Sequence, residues 1–235
     1  MKTTVLIKTD FKNILRDRSL IVIIIVPLII GMMLRFLPPI YESYYPVMND
    51  YRGLILGVFS VIVSLLAGFL LTFVMLDEKD QSLFQVLRIT PFSFEKLTLY
   101  RIGAMGALSF IFTIALIKTS GIISMKPYQE ILLAATCCLA GPTYSLVILG
   151  LAKNKIEGVT YYKLLNTLMA LPIIGLFIES PLRYIFGVIP YFWIYLAFDR
   201  LDNSPESLVY IAVALALQII YLIGAYRFFL IRNQQ

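Results

Sequence analysis

No charged residue interrupts the chain between Gly53 and Leu76. A bilayer core about 30 Å thick is crossed by roughly 20 apolar residues in a helix, whose backbone bonds are all internal. Four further runs of comparable length cover residues 19–37, 102–124, 131–152 and 208–226, and a sixth covers 159–178, broken by Pro172. Hydrophobic residues make up 60% of the chain and charged residues 14%, with mean hydropathy +0.85. Soluble domains carry far more charge. The expected fold is therefore all-α and integral to the membrane, a single transmembrane domain over residues 1–235 with six transmembrane helices.

One apolar stretch, 181–198, is left over, and it carries Arg183, Gly187 and Pro190. If it crossed as a seventh span, the basic tail with Arg227 and Arg232 would lie opposite the basic N-terminus, against the positive-inside bias. Six spans with both termini cytoplasmic place fourteen of the twenty Lys and Arg residues inside, while the fourteen acids divide seven and seven. The net charge of +6 then arises on the cytoplasmic side of a multi-pass cell-membrane protein, and nucleic-acid binding is not needed to explain it. The leftover stretch becomes a re-entrant outer segment hinged near Gly187 and Pro190, since irregular backbone at membrane depth needs protein or water around it. Its rings, Tyr184, Tyr191, Phe192, Trp193 and Tyr195, suit the aromatic belt of an interfacial anchor. An outer lid over a transport path is the alternative.

Ahead of the first span, Ile7, Phe11, Ile14 and Leu15 recur at helical spacing among Lys8, Asp10, Lys12 and Arg16. This predicts an amphipathic interfacial helix over 1–18 rather than a cleavable signal peptide. Within the second span, Gly53, Gly57, Ser60, Ser64 and Gly68 form one small-residue face for close helix contact. Packing inside the chain is the expectation, and a homodimer seam the alternative.

The chain contains no histidine, which removes imidazole bases, His-bound metals and His proton relays. No carboxylate lies at membrane depth, so an aspartyl-type intramembrane site is also missing. No catalytic residue and no metal ligand is assigned. Cys137 and Cys138 read as small packing residues. The basic residues near depth are Arg35, close enough to the surface to snorkel, and Lys118, which either snorkels or lines a polar path.

Residues 77–101 form a polar insert between the second and third spans. It begins with Asp77, Glu78 and Asp80, continues through an apolar face of Leu83, Phe84 and Leu87, and reaches Thr90 and Pro91. Two helices can be joined by a few residues. An insert of this length with one apolar face predicts docking in a partner's groove, with a helix flat on the lipid as the alternative.

The run LDEKDQSLFQVLRITP, residues 76–91, resembles the cytoplasmic signature of type-2 ATP-binding-cassette exporter permeases, with Gln81 and Ser82 where Gly-Thr is usual. LAKNKIEG at 151–158, FGVIPYFW at 186–193 and KTDFKNILRD at 8–17 are similar to the fluoroquinolone-type export permease branch. The resemblance spans nearly the whole chain.

What it implies is a half-transporter of two six-span subunits, a second copy of itself or a related permease completing the pair, driven by a soluble ATP-binding-cassette ATPase. ATP and Mg would bind that partner, and this chain has no GxxxxGK[ST] phosphate loop. Asp77, Glu78, Asp80, Ser82, Leu83, Phe84, Leu87, Thr90 and Pro91 would then be the coupling element. The cargo path would lie where the first, second and fifth spans of two copies meet, at Phe59, Phe69 and Phe73, with Asn166 and Thr167 as polar points and Lys118 as a further candidate. Amphipathic or hydrophobic cargo, a drug or a peptide, suits such a lining. A channel or ion-driven carrier, and a non-transporting immunity or scaffold subunit, are the alternatives.

Overall fold

In the computed structural model α2, Arg52–Asp80, is the post around which the other helices stand. The residues described are 18–81, 94–201 and 204–234. The N-terminal amphipathic stretch 1–17 and the coupling residues Ser82, Leu83, Phe84, Leu87, Thr90 and Pro91 lie outside them. Before α2 come α1, Arg18–Tyr44, and a 3-10 turn, Pro46–Tyr51. After it follow α3, Phe94–Ser120; α4, Pro127–Cys137; α5, Ala140–Leu151; and α6, Lys155–Leu176. A 3-10 segment, Pro181–Val188, then leads into α7, Pro190–Asp199, and α8, Ser204–Gln234.

No strand occurs among the described residues. Five stretches are long and apolar enough to cross a membrane: Pro46–Asp80, Glu95–Ser120, Pro127–Leu151, Lys155–Leu176 and Pro205–Asn233, and α1 contributes a shorter apolar stretch, Ile23–Pro38. The protein is an all-α membrane protein. Its successive long elements alternate in direction, so Arg18 and the end of α8 share one end of the bundle with Lys79. Asn233 and Lys79 fix that end by donating to the same carbonyl, that of Leu149.

The small-residue face of α2 is spent within the chain. A Cβ on Gly53 would stand 2.3 Å from the Phe198 carbonyl oxygen, and one on Gly68 would stand 2.4 Å from that of Gly141. Gly57 packs against the Phe198 ring. Only residues without a side chain allow α7 and α5 to approach α2 this closely.

The expected fourth span is two helices. Pro142 has no N–H to return to the Cys138 carbonyl, and the helix breaks at 138–139 between α4 and α5. Cys137 is buried there as a packing residue.

The leftover segment hinges where the sequence placed the hinge. Its 3-10 leg ends at Val188 and α7 starts at Pro190, with the Trp193 indole donating to the Gly187 carbonyl at 2.7 Å. Tyr221, midway along α8, donates to the Val188 carbonyl, whereas Ser207, near the start of α8, donates to that of Ala197. The segment thus descends to mid-depth and α7 climbs back beside α8. Its 10 residues rise about 15 Å, half a bilayer core. The aromatic-belt expectation is corrected: Tyr191, Phe192 and Tyr195 are buried, because α7 is enclosed by α2, α4 and α8. Tyr184, on the 3-10 leg, stays exposed.

Candidate functional site: the charged foot of α2 and the α2–α6 cleft

The acidic cluster at the foot of α2 is turned onto the chain itself. Glu78 receives both guanidinium arms of Arg101 on α3, at 2.5 and 2.6 Å, and the pair is nearly buried, with side chains 17% and 3% exposed. Lys79 donates to the Leu149 and Ala152 carbonyls at 3.1 and 2.7 Å, satisfying the open C-terminus of α5. Asp77 holds the Lys155 ammonium at 2.7 and 2.9 Å, and Asp80 accepts from the Lys155 backbone N–H at 3.2 Å. Asn154 caps α6 by accepting from the Glu157 N–H. Four consecutive charged residues therefore fasten α2 to α3, α5 and α6.

From Lys155 a file of rings climbs between α2 and α6. The ammonium lies 3.9 Å from the centroid of Phe73, Phe73 is 4.9 Å from Phe69, and Phe69 is 4.4 Å from Tyr162. Tyr162 meets Tyr144 edge-on at 5.5 Å. The Tyr144 hydroxyl lies 2.7 Å from the Tyr162 carbonyl oxygen and 2.9 Å from the Asn166 side-chain oxygen, its one proton shared between the two acceptors. Above the rings opens a cleft of about 230 Å³, walled by Val58 and Leu65 of α2, Tyr162, Asn166 and Met169 of α6, and Tyr195 of α7. It is an apolar slot with a fixed carboxamide and a phenol on one wall.

Of the residues expected along a cargo path, Asn166 lines the cleft, and Phe69 and Phe73 stand in the ring file that meets its wall at Tyr162. Phe59 lies apart, in a groove of about 240 Å³ that α2 forms with α1 and the 3-10 turn. Thr167 points outward, its hydroxyl donating to the Lys163 carbonyl. Lys118 sits at the end of α3 in an ion pair with Glu130 at 2.5 Å, its side chain 58% exposed. Sequence reading missed Tyr144, Tyr162, Tyr195, Arg101 and Lys155. The signal for two of them was spacing: Lys155, Tyr162, Asn166 and Met169 fall seven, four and three apart on one face of α6.

The family described as "Fluoroquinolones export permease protein Rv2686c-like" matches residues 10–226. Two proteins of Mycobacterium tuberculosis are similar to the chain: "Fluoroquinolones export permease protein Rv2686c" of strain ATCC 25618 / H37Rv and "Fluoroquinolones export permease protein MT2760" of strain CDC 1551 / Oshkosh. Each is 29% identical over 199 residues, covering 81% of this chain and 79% of the relative. No solved structure matches. A bundle of membrane-crossing helices with an aromatic cleft, matched over almost its full length, belongs to the Rv2686c-like family of export permeases.

Proposed function

We propose that the chain is the membrane subunit of an ATP-driven exporter, working as a pair of copies with a separate soluble ATPase that binds ATP and Mg. The observation that carries this reading is the file from Asp77 through Lys155, Phe73 and Phe69 to Tyr162. It joins the foot of α2, where the connector leaves the membrane, to the cleft above. Force applied to the connector reaches the cleft walls through a helix already tied to them. Both termini and the connector face the cytoplasm, and Phe84 and Leu87 dock in the ATPase.

The cargo is a planar aromatic drug of the fluoroquinolone kind named for the relatives. A ring of the drug stacks on Tyr162, which Phe69 backs, and the Asn166 carboxamide meets a polar edge of the molecule. Drug-sized sites measure roughly 300–1,000 Å³, so the cleft of about 230 Å³ must widen or join that of a second copy to hold one. Nucleotide drives export through its differential binding to the inward-open and outward-open arrangements.

Affinity purification from native membranes tests the reading: a stoichiometric soluble ATPase is expected with the chain. In liposomes its hydrolysis rises with aromatic drugs, and Phe84→Ala abolishes that rise without reducing membrane insertion. Purification without any ATPase points instead to a channel, an ion-driven carrier or a scaffold.

A further inference from the structure

The four ties at the foot of α2 are not equally strong, and two of them, the Asp77–Lys155 ion pair and the Asp80 bond to the Lys155 N–H, hold α6. The Glu78–Arg101 pair is bidentate and nearly buried, so parting it would strand a charge in a dry site, and α2 moves with α3 as one body. Lys79 is fixed to two carbonyls of α5. The Asp77–Lys155 pair is 43% and 31% exposed, within reach of water and salt, and such pairs part at little cost. The helix it holds is also the least embedded crossing helix: 11% of the apolar stretch of α6 is buried, against 67% for α2.

We propose that Lys155 is the latch of a gate at this end of the α2–α6 cleft. Its ammonium, clamped between the Asp77 carboxylate and the face of Phe73, closes the α2–α6 seam below the cleft, with Phe73 and Phe69 filling the seam between the clamp and the cleft wall at Tyr162. Release of the clamp lets α6 part from the rigid α2–α3 body and opens the cleft to the aqueous side on which Lys155 lies. The close seating of Gly158 on Leu76, one turn along α6, sets the spacing at which the clamp closes. Asp77 lies in the last turn of α2, beside Asp80, which accepts from the Lys155 N–H, so movement of this helix end bears on the pair. The latch gives the proposed export cycle its gate and rests on the cleft being the cargo path.

Thiol accessibility tests it in the full chain, with Cys137 and Cys138 replaced by alanine. Asn166→Cys reports the cleft, and Lys153→Cys, an exposed position beside the latch, identifies the face from which a membrane-impermeant maleimide arrives. From that face, Lys155→Met, which removes both the ion pair and the cation–π contact, raises the labelling rate at position 166 about tenfold, and Asp77→Asn, which removes the ion pair alone, raises it about threefold. The exchange Asp77→Lys with Lys155→Asp, which remakes the ion pair but not the cation–π contact, brings the rate back to within about fivefold of the parent and below that of Lys155→Met, showing that the pair and not the fold is read. If one single variant fails to fold, the other still carries the expected rise. Rates within about twofold of the parent in the folded single variants overturn the latch. If labelling follows the latch but acridine, a planar aromatic, never protects the thiol at position 166, the latch stands and the cargo reading falls.

Discussion

The Ser64 hydroxyl donates to the Cys137 carbonyl at 2.6 Å and accepts from the Gly141 N–H at 3.2 Å. One side chain of α2 thus occupies the gap in the α4–α5 backbone, standing where the helix would otherwise have bonded to itself. Ser109 of α3 donates to the Ser64 carbonyl at 3.1 Å, so three crossing elements meet at this residue. Ser64→Ala leaves a buried donor and a buried acceptor unpaired and should cost about 1–3 kcal/mol. Thermal unfolding in detergent measures it. Ser60, one turn earlier, is buried with no partner for its hydroxyl, so Ser60→Ala should be neutral or stabilising by up to about 1 kcal/mol.

Glycine substitutions separate close approach from open surface. Gly68→Ala drives a methyl into the Gly141 backbone, which cannot swing away as a side chain can, and should lower stability by about 3 kcal/mol. Gly103 has nothing within 4 Å of the added carbon, and Gly103→Ala should stabilise by about 0.5–1 kcal/mol. Melting of the two variants side by side, with opposite signs, checks both.

The spans were legible because length and hydropathy depend on the membrane alone. The α2 small-residue face and the Gly187–Pro190 hinge were legible because they are local. Partners of charges were not, since the register between helices is no property of a single segment: Glu78 finds Arg101 on the next helix, and Asp77 finds Lys155 much farther along the chain. The rings of α7 misled for a related reason. Interfacial and enclosed helices can share one aromatic composition, and only the presence of α2, α4 and α8 around Tyr191 and Phe192 decides between them. The α2 half of the ring file was visible as Phe69, Phe73 and Asp77, each four apart, but what it faced depended on where α6 would lie.

Glu78 sits in the signature region of the connector, yet it holds the fold together. Glu78→Gln removes the charge opposite a guanidinium whose side chain is 3% exposed and should destabilise by about 3–5 kcal/mol. The loss should appear as reduced yield and a lowered melting temperature before any effect on ATPase coupling. A variant with Glu78 and Arg101 both replaced by Met should regain most of the stability, since an apolar pair strands no charge. The proposed docking on an ATPase is therefore better probed at Phe84 and Leu87, outside the described residues, than at Glu78.

Lys118 pairs with Glu130 across the α3–α4 end of the bundle, away from the ring file. Lys118 is 58% exposed but Glu130 only 14%, so Lys118→Met leaves a mostly buried carboxylate without its cation and should cost about 1–3 kcal/mol. The variant should still export aromatic drugs at the parent rate, whereas a residue lining the path would change export. Drug accumulation in cells expressing the variant reads the difference.

Tyr144 lies on α5 and its hydroxyl reaches across to α6, where it fixes the Asn166 carboxamide with the oxygen inward. Tyr144→Phe keeps the ring and its edge contact with Tyr162 but removes that bond, leaving the carboxamide held only by its side-chain hydrogen bond with Tyr162. One neutral hydrogen bond amounts to about 0.5–1.5 kcal/mol, enough to shift drug affinity several-fold without unfolding the bundle. The change should be selective: drugs with a polar edge weaken by about three- to tenfold, while a purely hydrocarbon aromatic binds as before. Asn166→Leu should reproduce the pattern, and adding Tyr144→Phe to it should add nothing further, because the tyrosine acts through the amide. Stimulation of ATPase activity by a paired set of polar and apolar aromatics measures both. Equal loss for the two classes would make Tyr144 a packing residue rather than the one that aims Asn166.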